Sequence, residues 1–260
     1  MGILNVTPDS FSDGGQFTSA QQAADYAIKM IHDGADIIDI GGESTRPGAK
    51  AVSLEEELKR VKPVIKAIRK QSDCLISIDT YKASVAETAL DLGADIVNDI
   101  SSLSFDQDMA NLISTRKVPI ILMHMQGSPQ DMQINPIYNN LINDLIHFFK
   151  SKIEIASKAG IVKNMIILDP GIGFGKQVED NFEIIRELKQ IKAMGYPILL
   201  GPSRKSFIGK ALNLPLEERL EGTMASIAVG IINGAKIVRV HDVIETRRTV
   251  SIVENILGKY

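Results

Sequence analysis

The chain has 260 residues, enough to bury a sizeable core within one domain. Hydrophobic residues make up 44%, charged residues 23%, and the formal net charge is -3, so the composition indicates neither a nucleic-acid partner nor a membrane surface. Cys74 is the only cysteine, which excludes an intramolecular disulfide and a cysteine-built zinc site; His32, His124, His147 and His241 lack the spacing that sets two ligands on one helix face, so any metal is expected to be hard and oxygen-bound.

No targeting segment is visible, and apolar runs such as that at 118–123 are strand-sized, far below the roughly 18 residues of a membrane span. Short β-branched runs predict strands at 3–6, 36–40, 75–79, 96–99, 120–123, 165–169, 198–200 and 237–240. Between them, apolar residues at three- and four-residue intervals predict helices, among them 20–32, 54–70, 83–92 and 138–159. Gly34, Gly93, Gly160, Gly195 and Gly234 each stand between a helical pattern and a strand, where a left-handed C-cap turns the chain back. The strands are continuous Ile, Val and Leu, as expected for a parallel sheet covered by helices. Eight βα units make a closed (β/α)8 barrel spanning 1–260 the economical reading, with an open doubly wound sheet as the alternative.

Polar residues recur at the C-terminal ends of these strands: Asn5, the run Gly41 to Arg46, Asp79, Asn98 with Asp99, His124, Asp169, Ser203 to Ser206, and Arg239 with His241. In a barrel they converge on the rim that carries active sites. Taken singly, several have bland readings. Asp79-Thr80 could cap the next helix, Asn98-Asp99 could form a turn, and Asp169-Pro170-Gly171 is a turn signal. His124, flanked by Met123 and Met125 and without an obvious acidic partner, reads as a packed histidine or one that supports a ligand-contacting residue. Lys59, Arg60, Lys62 and the run Glu55 to Glu57 read as a solvated helix face. Phe17 and Phe174 sit amid loop residues and are expected to face a ligand. Neither the loop 9–15 nor the loop 41–49 matches a P-loop, and Gly171 to Lys176 departs from the dinucleotide fingerprint, so its glycines are expected to allow close approach to a ligand.

The motifs carry a resemblance. The opening Gly2-Ile3-Leu4-Asn5-Val6-Thr7-Pro8-Asp9-Ser10-Phe11 and the segment Asp39-Ile40-Gly41-Gly42-Glu43-Ser44-Thr45-Arg46-Pro47-Gly48 resemble the two signature segments of the dihydropteroate synthase family. Ser77-Ile78-Asp79-Thr80, Val97-Asn98-Asp99-Ile100, Leu168-Asp169-Pro170-Gly171, Ser203-Arg204-Lys205-Ser206 and Val238-Arg239-Val240-His241 continue the match in order. Members usually carry residues ahead of the first signature, so the start of strand 1 is expected to be lacking or truncated.

The resemblance implies a TIM-barrel transferase of folate biosynthesis, a class targeted by sulfonamides, that joins 6-hydroxymethyl-7,8-dihydropterin pyrophosphate to p-aminobenzoate. It implies a pterin site of Asp79, Asn98, Met123, Asp169, Gly201 and Lys205, with Asp169 accepting pterin N–H groups and Lys205 serving the carbonyl. Asn5, Arg46, Arg239 and His241 would meet the pyrophosphate, Asn5 also being the ligand of Mg2+. Phe17, Thr45, Pro47 and Ser206 would border p-aminobenzoate, and Asp79, Lys205, Arg239 and His241 would be the catalytic groups. A cytoplasmic homodimer is implied as well. The nearest rival is a pterin-dependent methyltransferase barrel, which needs no pyrophosphate site; a pterin-binding protein without turnover is the other.

Overall fold

The computed structural model describes residues 1–7, 20–45 and 48–258. Strands β1 (Gly2–Asn5), β2 (Ile37–Gly41), β3 (Leu75–Asp79), β4 (Ile96–Asp99), β5 (Ile120–Met123) and β6 (Ile166–Asp169) form one parallel sheet in sequence order, and β7 (Leu199–Leu200) pairs in parallel with β8 (Ile237–Val238). Single bridges join the two pieces, Leu168 with Ile198 and Gly2 with Val240. At the second seam the Ile3 N–H donates to the Val240 carbonyl at 2.9 Å and the Val240 N–H to the Met1 carbonyl at 3.0 Å. The ring is therefore closed, and the barrel reading holds over the open sheet.

Helices α1 (Ala20–His32), α2 (Leu54–Arg69), α3 (Ala83–Asp91), α4 (Met109–Arg116), α5 (Leu141–Lys158), α6 (Val178–Arg186), α7 (Leu188–Lys192), α8 (Ser206–Leu212), α9 (Leu220–Ile232) and α10 (Val243–Ile256) alternate with the strands. Their ends follow local chemistry. Ser53 caps α2 by accepting the Glu56 N–H at 3.2 Å. The helix expected from 138 starts at Leu141 because Asn140 takes the cap, its side chain accepting the Asn143 N–H. The five turn glycines all have positive φ, from 79° to 117°, as the C-cap reading requires. β7 is shorter than expected: Pro197 has no N–H to donate, and Ile198 joins only through a bridge. β1 pairs with β2 over Gly2 to Asn5.

A large apolar layer fills the space between sheet and helices, with Leu4, Ile38, Ile40, Ile65, Ile76, Ile78, Leu122 and Phe149 in it. Inside the ring, a separate cluster of Met1, Ile37, Ile96, Ile121, Ile167 and Leu199, packed by Ile237, plugs the end where the strands begin. Side chains of a strand alternate faces, so the residue two positions after each plug residue also faces inward. On β1 that residue is Ile3, and on the other strands these residues are Asp39, Asn98, Met123, Asp169, Gly201 and Arg239. One parity rule thus changes the interior from apolar at one end to polar at the other, and it places the site.

Candidate active site

Arg239 organises the polar end. Its Nε donates to Asp39 Oδ2 at 2.6 Å and its Nη2 to Asp79 Oδ2 at 2.7 Å, while Asn98 Nδ2 donates to Asp39 Oδ2 at 3.2 Å. Asp39 is wholly buried and Asp79 nearly so. Burial works against the guanidinium charge, but Asp39 and Asp79 outweigh it and hold the group more firmly protonated than usual. Burial pushes Asp79 up to about 7, with Arg239 pulling the other way. Asp79 Oδ1 and Asn98 Oδ1 have no hydrogen-bond partner. Two buried acceptors at one cleft call for a donor that the described residues do not supply.

On the opposite wall, Asp169 is buried, and its Oδ1 accepts the Gly171 N–H at 2.7 Å. Burial raises its proton affinity, and the Gly171 N–H, Lys205 and Arg239 oppose the rise. Lys205 Nζ donates to the Ile172 carbonyl at 2.8 Å and stands 4.0 Å from the Phe174 ring centroid. Desolvation brings Lys205 down to about 8. Its rim loop is pinned by Arg204, which adopts φ 54° and makes a two-point contact to Asp242 through Nε at 2.9 Å and Nη2 at 2.5 Å. His241, exposed on the rim, has Nδ1 2.9 Å from Ser203 Oγ.

The cleft is lined by Thr45, Asp79, Asn98, Ile100, Met123, Asp169, Ile172, Phe174, Gly201, Lys205 and Arg239. All six residues expected around a pterin meet there, together with Thr45 and Arg239. Asn5 ends β1 beside Gly41, outside this lining, and Ser206 is exposed at the start of α8. Phe17, Arg46 and Pro47 lie outside the described residues.

Several expectations need correction. Glu57, read as solvated, is buried, and the Lys82 ammonium donates to it and to Glu43. Arg60 is also engaged, donating to the Gly42 carbonyl at 2.8 Å. The glycines after β6 approach protein rather than ligand: a Cβ on Gly171 would lie 1.9 Å from the His124 carbonyl oxygen, and one on Gly175 would lie 2.5 Å from that of Gln126. The turn reading is right for Asp99, whose carboxylate accepts from Ser101 and Leu103. His124 is buried and packed, edge-on to Phe148, as its sequence setting suggested. Two residues given no role in the sequence belong to the surroundings of the cleft: Asp39, whose parity matches Asn98 and Asp169, and Lys176, which only the folded loop brings inward.

A barrel mouth with acceptors on one wall that have no partner among the described residues, and a buried aspartate and a half-buried lysine on the other, presents both hydrogen-bond donors and acceptors to a ligand. The family model described as "Pterin binding enzyme" matches residues 1–241. The dihydropteroate synthase of Clostridium beijerinckii is 52% identical over 260 residues, covering 100% of this chain and 94% of that protein. The solved Yersinia pestis dihydropteroate synthase in a sulfonamide drug complex is 45% identical with a TM-score of 0.95, covering 99% of this chain and 94% of that one. The Xanthomonas albilineans enzyme, solved with 4-aminobenzoic acid, is 39% identical with a TM-score of 0.93 over 99% of this chain and 92% of that one. The chain belongs to the pterin-binding enzymes and, within them, to the dihydropteroate synthases.

Proposed function

We propose that the cleft condenses 6-hydroxymethyl-7,8-dihydropterin pyrophosphate with p-aminobenzoate to give 7,8-dihydropteroate and pyrophosphate, a step of folate biosynthesis. The observation that carries this reading is the pairing of unpartnered acceptors, Asp79 Oδ1 and Asn98 Oδ1, with the facing Asp169 and Lys205. A pterin edge presents amino and ring N–H donors beside a carbonyl and a ring nitrogen. Asp169 and Asn98 would take the donors, and the Lys205 ammonium, released from the Ile172 carbonyl, would serve the acceptors.

The reaction we infer is dissociative. The bond between the pterin methylene carbon and the pyrophosphate oxygen breaks first, its electron pair leaving with pyrophosphate. The aryl amine nitrogen then attacks the methylene cation and gives up a proton. Asp79, when ionised, would stabilise the positive charge that develops on the pterin. Arg239 holds Asp79 in place, and with His241 and Arg46 it would favour the departing anion. No general base of the Ser-His-Asp kind is needed, because the aryl amine meets a cation.

Among the described residues no cluster of three His, Cys, Asp or Glu side chains is arranged to hold a metal. Asn5, at the end of β1 beside Gly41, offers a single neutral oxygen, which suits an ion that takes most of its shell from water and phosphate. Mg2+ held by Asn5 and the substrate would neutralise charge on the leaving group. Thr45 on the cleft wall, with Phe17, Pro47 and Ser206, would border p-aminobenzoate, where a sulfonamide would compete.

Homodimerisation is supported by a partly exposed apolar face on the adjoining α9 and α10, where Val229, Ile232, Ile252 and Ile256 reach solvent. No helix among the described residues is long and apolar enough to cross a membrane. The single cysteine suits a reducing, cytoplasmic setting. The test is pyrophosphate release from the pterin pyrophosphate with p-aminobenzoate and magnesium. Release requiring all three is expected; binding without release would favour the methyltransferase or the non-catalytic reading.

A further inference from the structure

Lys176 is buried, at 4% exposure, and among the described residues no carboxylate contacts its ammonium. Nζ donates to the Phe174 carbonyl at 2.9 Å and the His124 carbonyl at 3.3 Å, and it lies 3.0 Å from His124 Nδ1. Burial brings Lys176 down to about 7 while Asp169 pulls it up; in its ammonium form it has three protons and no lone pair, so Nδ1 then accepts and His124 carries its proton on Nε2. Burial and the Lys176 charge both press His124 toward the neutral form that this contact needs. A buried ammonium matched to three neutral acceptors on two different rim segments is costly to hold. Its arrangement indicates a task.

The two segments are the end of β5 and the loop after β6. Phe174, whose carbonyl Lys176 holds, also bears on Lys205: its ring lies under the Lys205 ammonium, and two residues earlier in the same loop the Ile172 carbonyl accepts from Lys205 Nζ. Gly173 packs on the Lys205 stem, where a Cβ would come within 3.0 Å of Lys205 Cδ. Other anchors hold different points of this loop, Tyr138 at the Gly175 carbonyl and Gln133 at the Gly173 carbonyl. Among the described residues, Lys176 alone ties Phe174 to His124 through side-chain hydrogen bonds.

We propose that Lys176 is a positioning residue of the pterin site, acting with His124 as a clamp that sets the Phe174 wall and, through it, the Lys205 ammonium. This rests on the reading that the cleft takes a pterin. Lys176 itself touches no substrate. Losing the clamp should loosen the Phe174 wall while the Asp39, Asp79 and Arg239 assembly across the cleft stays intact.

The experiment compares wild type, Lys176→Met, His124→Asn and His124→Leu by calorimetry with 6-hydroxymethylpterin, by steady-state kinetics, and by thermal melting. Asn places a carbonyl oxygen close to where Nδ1 stands and keeps the acceptor; Leu removes it. The expected result is pterin binding weakened about tenfold in Lys176→Met and also weakened in His124→Leu, the scale of one lost hydrogen bond to a charged group. His124→Asn should bind within about threefold of wild type on the same scale. KM for the pterin substrate should rise with KM for p-aminobenzoate unchanged. A combined Lys176→Met/His124→Leu chain should be no weaker than Lys176→Met alone. Melting reports whether each variant is folded. Should Lys176→Met unfold, the His124→Leu and His124→Asn pair decides: equal pterin affinity in both overturns the clamp. Folded Lys176→Met with wild-type affinity and a lowered melting temperature overturns it too, leaving a purely structural lysine. Wild-type protein that binds no pterin would instead overturn the reading of the cleft.

Discussion

Arg239→Met removes the one cation among the described residues that contacts both Asp39 and Asp79, and the structure sets the size of the effect. The guanidinium donates to each carboxylate at 2.6 and 2.7 Å, and Asp39 and Asp79 are 0% and 7% exposed. Deleting one partner of such a buried assembly strands the other charges, at a cost of about 3–5 kcal/mol. For a chain of this size that corresponds to a melting temperature lower by roughly 6–20 °C. The loss should depend on pH with a definite sign. Asp79 holds its proton up to about 7 in the folded chain against 3.8 ordinarily, so the folded state binds more protons in that window and its stability falls as pH rises through it. Without Arg239, which pulls this carboxyl down, the folded-state value moves higher still. Destabilisation should therefore be greatest above pH 7 and shrink as acid protonates Asp79. Denaturant melts of wild type and Arg239→Met at about pH 8 and pH 5.5 measure it. A loss below about 1 kcal/mol at the higher pH, or an equal loss at both, would refute the reasoning.

Lys205→Ala should weaken binding of a pyrophosphate-free pterin by about 1.5–3 kcal/mol in calorimetry, the range for a hydrogen bond involving charge; unchanged affinity would remove Lys205 from the pterin site. Asp169→Asn should show a comparable loss, because an amide N–H then faces the pterin's own donors, and wild-type affinity would overturn the orientation given to the ring. A chelator should abolish turnover while leaving pyrophosphate-free pterin binding nearly intact, and full activity in metal-free buffer would remove Mg2+ from the mechanism.

The barrel was legible because its period is local. Continuous β-branched runs, amphipathic helices and a glycine at five helix-to-strand turns are each read within a few residues, and the strands at 75–79, 96–99 and 120–123 match the structure residue for residue. The convergence of Asp79, Asn98, Asp169 and Lys205 in one cleft was legible for the same reason, since strand ends meet in a barrel and motif residues there can be named. What escaped depends on long-range contact. Glu57 sits in an acidic run of the kind that covers solvated helices, and only the position of Lys82, far along the chain, makes it buried. Asp39 lies mid-strand between isoleucines, and its importance needs Arg239, 200 residues away, to be visible. Lys176 follows a glycine-rich turn whose inward path is set by positive φ at Gly171, Gly173 and Gly175, a conformation that the sequence permits without specifying.

The account turns on the pterin being read edge-on by Asp169, Asn98 and Lys205 at the barrel mouth. The most direct measurement is a crystal structure of the protein soaked with 6-hydroxymethylpterin. The ring should lie in the cleft with its amino and N–H edge on the Asp169 carboxylate, its carbonyl within hydrogen-bond reach of Lys205 Nζ, and Asn98 on its remaining polar atoms. A ring bound elsewhere, or bound here with its carbonyl turned toward Asp169, would contradict the account.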